Sequence, residues 1–522
     1  MWMARLVLAA AAGTAASAAG AATVDCAKDR MLKVGFPASV QITGADRVPA
    51  APPGTVRPSA SRPPLPIALP AFCKVSGVIN RRTGSDGKTY GLRFELALPD
   101  DWNGRLLFQG GGGTNGVINA PLGAQATGAR PALTRGFAVI STDGGHASER
   151  GFDSSFNKDQ QAALDFAQDS VGTTTIVAKQ IVAAHYGRPA HHSYIVGCST
   201  GGREAMLAAQ RYPDMFDGVV AGAPAMRTGF SNITTSYITV TLNKASVLDA
   251  QGHPTALLSG ADKKLVLDAM LEDCDALDGL KDGVIAKFGA CHFRPARIAC
   301  KGEKTASCLS PAQVSALDAA FLPPKDASGA VIYPAFPWDT GVIAEGPRIP
   351  GILTTAVASP LGPPNLAMAI DLDQRARTVR GDGGQMLADA SIWTNLSTFL
   401  DHKGKIIWYH GTSDPWFSPF DTLDFFERAA RTNGERWNSS ARLYFVPGAG
   451  HCGGGDNTFD QFDLLTPVVD WVERGTAPAG IPAHRDLPTP ADRPLCPWPS
   501  YPHYRGNGDV TRIESFECSS ES

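Results

Sequence analysis

The segment Gly197-Cys198-Ser199-Thr200-Gly201-Gly202 constrains this chain more than any other. It has the spacing G-x-S-x-G. The apolar run Ser193–Val196 precedes it, and a helix-forming run, Thr200–Tyr212, follows it. Strand, sharp turn and helix in that order lift a serine hydroxyl out at the C-terminal edge of a sheet. Glycines two residues to either side leave room for strand and helix to meet. The helix start supplies free N–H groups and partial positive charge, which suit a developing oxyanion.

A serine hydroxyl is a poor nucleophile until a base takes its proton. After such a turn the partners are expected in the order acid, then histidine, each on a loop behind a later strand. Asp414 follows the apolar run Ile406–Tyr409, within His410-Gly411-Thr412-Ser413-Asp414-Pro415. His451 follows Arg442–Val446, within Pro447-Gly448-Ala449-Gly450-His451-Cys452. Ser199 is therefore expected as nucleophile, His451 as general base and then acid, and Asp414 as the group that holds the imidazole tautomer. Gly110–Gly113 follows a strand-like run, Arg105–Gln109, so a glycine N–H there is expected to join the Thr200 N–H at the oxyanion. A phosphate-cradling reading of the same glycines fits poorly, because no GK[ST] follows. His410 is expected to be structural, and His191 and His192 to lie on the surface. His146 is placed either in the site or in the framework. The same triad serves ester and amide hydrolysis, so a peptidase or amidase stands beside an esterase on these residues.

The rest of the chain supports an α/β fold of the hydrolase type. Further strands are expected at Phe137–Thr142 and Val219–Ala221, and helices at Gly172–Tyr186 and Leu464–Arg474. Such alternation predicts a mainly parallel sheet with helices on both faces. A chain of 522 residues exceeds one ordinary core, which asks for two lobes or a large insertion. Residues 226–395 break the rhythm with four cysteines, an acidic loop and Pro-rich turns. They are read as an inserted lid domain, dividing the hydrolase core into 22–225 and 396–522. Residues 45–70, rich in Pro and Ala, read as an irregular lead-in.

Residues 1–21 read as a signal peptide: Arg5, a short apolar run, then small residues around Ala16-Ser17-Ala18 and Ala19-Gly20-Ala21. No later run is expected to span a membrane. Net charge is −3, with no block of Lys and Arg, which argues against nucleic acid as a partner. The ten cysteines form no CxxC pair and no zinc spacing, and an even number in an exported chain implies disulfides. Export leaves periplasm and medium both open. The loop Cys274–Val284 holds Asp275, Asp278 and Asp282 among glycines. It is either a solvated acidic turn or a calcium loop, with the Leu280 and Val284 carbonyls as further oxygen donors.

Taken together, these residues resemble the tannase and feruloyl esterase family. Its mark is a cysteine just before the nucleophilic serine and another just after the histidine, here Cys198-Ser199 and His451-Cys452. The resemblance runs through Gly110–Gly116, Thr142–His146, Gly197–Glu204, Ala221–Pro224, Tyr409–Ser418 and Pro447–Cys452. It implies a Cys198–Cys452 disulfide that staples the serine turn to the histidine loop. The other implied pairs are Cys26–Cys73, Cys274–Cys291, Cys300–Cys308 and Cys496–Cys518. It also implies Gly113 as the early oxyanion donor, Phe417 beside a substrate ring, and a structural calcium at Asp275, Asp278, Leu280, Asp282 and Val284. The activity it implies is hydrolysis of aromatic carboxylic esters, among them feruloyl, galloyl and terephthalate monoesters.

Overall fold

A computed structural model describes residues 26–27, 35–58, 63–149, 151–343, 352–353 and 365–520. The signal-peptide expectation at 1–21 lies outside the described residues. Nine strands form one sheet: β1 (Val40–Val48), β2 (Phe72–Thr83), β3 (Thr89–Pro99), β4 (Arg105–Gln109), β5 (Ala138–Thr142), β6 (His192–Cys198), β7 (Gly218–Gly222), β8 (Lys405–Gly411) and β9 (Ala441–Val446). Their order is β1-β2-β3-β5-β4-β6-β7-β8-β9. The strands from β5 to β9 run parallel, and β1, β2 and β3 extend the sheet antiparallel.

The parallel strands are buried on both faces, and their alternation divides the core in two. Leu106, Phe108, Ile195, Val219, Ile406 and Trp408 face one apolar cluster. Leu107, Tyr194, Val196, Val220, Ile407 and Tyr409 face the other. Helices Ser170–Tyr186 and Thr200–Arg211 cover the first face, and Leu465–Arg474 covers the second. This two-sided burial explains why these strands read as short, continuous apolar runs.

The long hairpin of β2 and β3 falls where no strand was expected. Leu92, Phe94, Leu96 and Leu98 are buried on one face of β3 with the period-two spacing of a half-buried strand. The lead-in expected at 45–70 begins inside β1, which ends at Val48. Two small antiparallel sheets near the C-terminus, within 461–519, were also unforeseen.

Between β7 and β8 the described chain forms helices and turns and adds no strand to the large sheet. Its apolar side chains Val266, Met270, Phe293, Tyr333 and Trp338 belong to the same cluster as Ile195 and Trp408 of the sheet. Trp338 stacks on Phe321 with ring centres 3.6 Å apart and meets Phe293 edge-on at 5.0 Å. Among the described residues, no helix is long and apolar enough to cross a membrane.

Because insertion and sheet share one core, unfolding in urea is expected to show a single transition by fluorescence and by circular dichroism. Trp338→Ala should lower stability by about 3–5 kcal/mol and shift both probes together. Two separated transitions would show that the insertion folds independently.

Candidate active site

Ser199 follows β6 and precedes helix Thr200–Arg211 with φ 65° and ψ −123°, a backbone region that a side chain disfavours. The turn is held from both sides. Ser199 N–H donates to Gly222 O at 3.0 Å, and Ser199 O accepts from Arg203 and Ala225 N–H at 3.0 Å each. A Cβ on Gly197 would lie 2.3 Å from Gly201 O, and one on Gly201 would lie 2.6 Å from Gly111 O. Backbone therefore meets backbone at both positions, and glycine is the residue that permits it.

Asp414 lies in the loop after β8 and is buried. Its Oδ2 accepts from His451 Nδ1 at 2.6 Å and lies 3.2 Å from His410 Nε2. Its Oδ1 accepts from the N–H groups of Trp416 (2.9 Å) and Phe417 (3.1 Å). Burial alone would raise this carboxyl. The charge of His451 and hydrogen bonds from His410 and His451 outweigh it and hold the acid well below the usual carboxylate range. His410 is buried and also bonds Thr422 Oγ1 at 2.8 Å and Phe417 O at 3.0 Å, so it props the acid loop.

His451 lies on the loop after β9 with its Nδ1 engaged by Asp414, while its Nε2 has no partner among the described residues. The Cys198–Cys452 disulfide joins the residue before Ser199 to the residue after His451, with Cα atoms 5.9 Å apart. All ten cysteines are paired as the resemblance implies.

The glycine loop after β4 is fixed by buried polar groups. Glu204 is fully buried on helix Thr200–Arg211 and accepts from Gly111 N–H at 2.8 Å and Asn115 Nδ2 at 2.7 Å. Gly113 O accepts from the Thr200 hydroxyl, and Thr114 O lies 3.0 Å from His146 Nε2. Gly113 has φ +58°, and its N–H has no acceptor among the described residues. The Thr200 N–H belongs to the first helical turn, where donors lack intrahelical partners. His146 thus lies behind the loop, buried against Phe156 at 3.9 Å, and acts as framework.

A second buried carboxylate, Asp339 of the insertion, binds the other two loops. It accepts from the Thr412 hydroxyl, from Ser413 Oγ at 2.7 Å and from Gly448 N–H at 2.8 Å. Neither Asp339 nor Glu204 was singled out in the sequence. Glu204 carries a legible signal, a lone acid beside the glycines of the serine turn, whereas Asp339 carries none.

Above His451 stand two rings. Phe417 is buried with its ring centre 5.4 Å from the imidazole, and Trp416, only half-buried, is closer at 4.7 Å. Trp416 was missed because the resemblance directs attention to its neighbour.

In the acidic loop, Asp275 accepts from Gly283 N–H at 3.0 Å, Asp278 from Leu280 N–H at 3.0 Å, and Asp282 from Val284 N–H at 3.2 Å. Arg493 pairs with Asp282. Burial, with Asp282 and Asp275 nearby, pushes Asp278 up to about 7. A cavity of about 10 Å³, roughly the room of one small sphere, is lined by Asp278, Asp282, Val284 and Pro447 among others. A buried, under-compensated acid beside a void of that size suits a small hard cation. Among the described residues, His191, His192 and Glu473 form the one group of three or more metal-ligand side chains whose ligand atoms lie within 4.8 Å of one another. Glu473 is already held there by Arg105 at 2.6 Å and Tyr194 at 2.7 Å.

Comparison with known proteins follows this geometry. The model of the family described as tannase and feruloyl esterase matches residues 73–519. The chain is 39% identical to mono(2-hydroxyethyl) terephthalate hydrolase of Piscinibacter sakaiensis, covering 86% of this chain and 85% of that one. The structure is similar to that of feruloyl esterase B from Aspergillus oryzae, with TM-score 0.74 and 25% identity over 93% of this chain and 97% of that one. Tannin acyl hydrolase from Aspergillus niger shares the fold, with TM-score 0.72 and 22% identity over 95% of each chain.

Burial pushes the His146 imidazole down to about 4, with the Thr114 carbonyl opposing. An unfolded histidine takes its proton near ~6.5, so between those values the unfolded chain binds more protons and stability falls as pH falls. His146→Gln keeps a donor for Thr114 and removes the titration. Wild type should lose melting temperature relative to this variant from pH ~6.5 down to ~4. A difference that stays constant over that range would refute the assignment.

Proposed function

The chain belongs to the tannase and feruloyl esterase family of carboxylic ester hydrolases, and from that premise we propose that it is a secreted serine esterase acting on aromatic carboxylic esters through an acyl-enzyme. The observation that carries the reading is the Asp414–His451 contact of 2.6 Å, with the opposite imidazole nitrogen free and the loop tied by disulfide to the Ser199 turn.

In this reading His451 Nε2 takes the Ser199 proton as Oγ attacks the ester carbonyl. Asp414, deprotonated throughout, stabilises the imidazolium. The oxyanion forms against the N–H groups of Gly113 and Thr200, which the Glu204 network and the helix start hold in place before the reaction begins. His451 then protonates the leaving alcohol. A water activated by the same nitrogen attacks the acyl-enzyme and frees the acid. Phe417, backing the imidazole, lines the site.

The aromatic acid rests on relatives named for feruloyl and terephthalate esters and on the rings beside His451. The 39% identity to the terephthalate relative supports its half-ester as an alternative substrate to feruloyl and galloyl esters. Secretion is supported by five disulfides, which persist in an oxidising compartment. A structural Ca2+ at Asp275, Asp278 and Asp282, with the Leu280 and Val284 carbonyls, is supported by the buried Asp278 and its small cavity. When bound, it would neutralise these acids. The loop lies away from the triad in sequence, and its cavity reaches Pro447 at the base of the His451 loop.

Purified protein and its Ser199→Ala variant should be compared on methyl ferulate, methyl gallate, mono(2-hydroxyethyl) terephthalate and p-nitrophenyl butanoate. Wild type is expected to cleave at least one aromatic-acid ester, and the variant to lose roughly 10³-fold or more. Cleavage of the butanoate alone would remove the aromatic assignment, and full activity in the variant would remove the serine mechanism. For calcium, elemental analysis should find roughly one ion per chain, and chelation should lower the melting temperature of wild type but not of Asp278→Asn. Metal-free protein whose melting is indifferent to chelator and to added Ca2+ would overturn the site.

A further inference from the structure

Phe152 is held in a conformation that its packing does not explain. Its φ is +62°, in the left-handed region that disfavours a side chain with a Cβ. Its ring is 39% exposed and belongs to none of the protein's apolar clusters. An aromatic side chain on a strained backbone, turned outward, recovers little from burial. Strain of this kind concentrates where a site needs a side chain in one place.

That place is the mouth of the site. A methyl group on Gly113 would rest 3.6–3.7 Å from the Phe152 ring, so the ring lies over the glycine expected to bind the oxyanion. On its other side Phe152 meets Trp416 edge-to-face, with centres 6.3 Å apart at 82°. Trp416 in turn leans on His451 at 4.7 Å. Its position is set by the backbone: the Trp416 N–H donates to Asp414 Oδ1, and the Ser231 hydroxyl donates to Trp416 O. The Trp416 indole N–H has no acceptor among the described residues. Phe152, Trp416 and His451 thus make a continuous aromatic wall from the glycine loop to the histidine.

We propose that Phe152 and Trp416 are specificity-determining residues: they seat the flat ring of an aryl ester while its carbonyl lies between Ser199 and the Gly113 N–H. This rests on the serine esterase reading above. An offset or edge-on ring contact rewards an aromatic group beyond its area alone, so the wall distinguishes a ring from an alkyl chain of equal size. The ring belongs to either the acyl or the alcohol half of the ester, and the two halves are separable by assay.

The test measures kcat/KM on methyl benzoate (ring in the acid), phenyl acetate (ring in the alcohol) and methyl butanoate (no ring). Wild type, Phe152→Gly, Phe152→Tyr and Trp416→Leu are compared. For Phe152→Gly and Trp416→Leu, the ratio of the ring-bearing to the ringless ester should fall about tenfold or more, chiefly through KM, and Phe152→Tyr should restore it. The ester whose ratio falls identifies the half that carries the ring. Glycine suits a left-handed backbone, so Phe152→Gly should melt at or above the wild-type temperature. A framework role predicts the opposite, a lower melting temperature with all three esters losing the same factor, and that result would overturn the proposal. Wild type that prefers ring-bearing esters, with every variant keeping the preference, sinks the wall alone. Wild type that cleaves only methyl butanoate sinks the wall together with the aromatic reading; wild type inert on all three that still cleaves an aromatic ester of the panel above sinks the wall alone, and inertness on both panels sinks the esterase reading itself.

Discussion

Where β6 gives way to the helix at Thr200, three backbone segments touch with no side chain between them. Gly197 meets Gly201, Gly201 meets the glycine loop at Gly110 and Gly111, and Gly202 meets Gly222 O, where an added Cβ would lie at 2.2 Å. This contact sets the height of Ser199 above the sheet and the distance from the serine to the glycine loop. A single methyl at Gly197 or Gly201 would collide with backbone rather than with a side chain that could turn away. The neighbouring strands and loops must therefore take their places around it.

The loops that complete the site are held from beneath by buried carboxylates. Glu204 binds the glycine loop, Asp339 binds the loops of Asp414 and His451, and Asp414 binds the imidazole. A buried carboxylate is costly unless several donors satisfy it, and each of these three accepts two or more hydrogen bonds. The same cost makes them effective clamps, since a loop that moves away leaves a buried polar group without its partners. Buried hydrogen bonds thus hold the loops of the site, and the rings of Trp416 and Phe417 stand against His451.

Much of this was legible in the sequence because the chemistry is local. The serine turn declares itself within six residues, and Arg105–Gln109 was recovered with its bounds unchanged, because a strand buried on both faces is a short unbroken apolar run. Asp414 and His451 were found by their order and by the strands before them. What escaped depends on distance. Asp339 touches the acid loop across some seventy residues of chain, and no local pattern marks it. Phe152 is conspicuous only through a backbone angle that composition does not encode. The β2–β3 hairpin escaped for another reason: the alternation in β3 is plain, but glycines at 77 and 91 and the turn around Gly84 interrupt its surroundings.

The insertion between β7 and β8 contributes to the framework of the candidate site. It shares an apolar cluster with the sheet, and its Asp339 reaches two of the three loops that carry the expected triad. Its acidic loop is fastened to later chain, through Arg493 on Asp282 and through Asn457 Nδ2 on Asp282 O at 3.0 Å. The histidine loop is therefore braced from three directions: the Cys198–Cys452 bond, Asp339 on Gly448, and the hydrogen bonds of Asn457 to the acidic loop. In the proposed reaction the histidine must face the serine with one nitrogen and the acid with the other, which tolerates little rotation. Cross-links from the serine turn, the insertion and the acidic loop restrict that rotation in a way no single neighbouring element does.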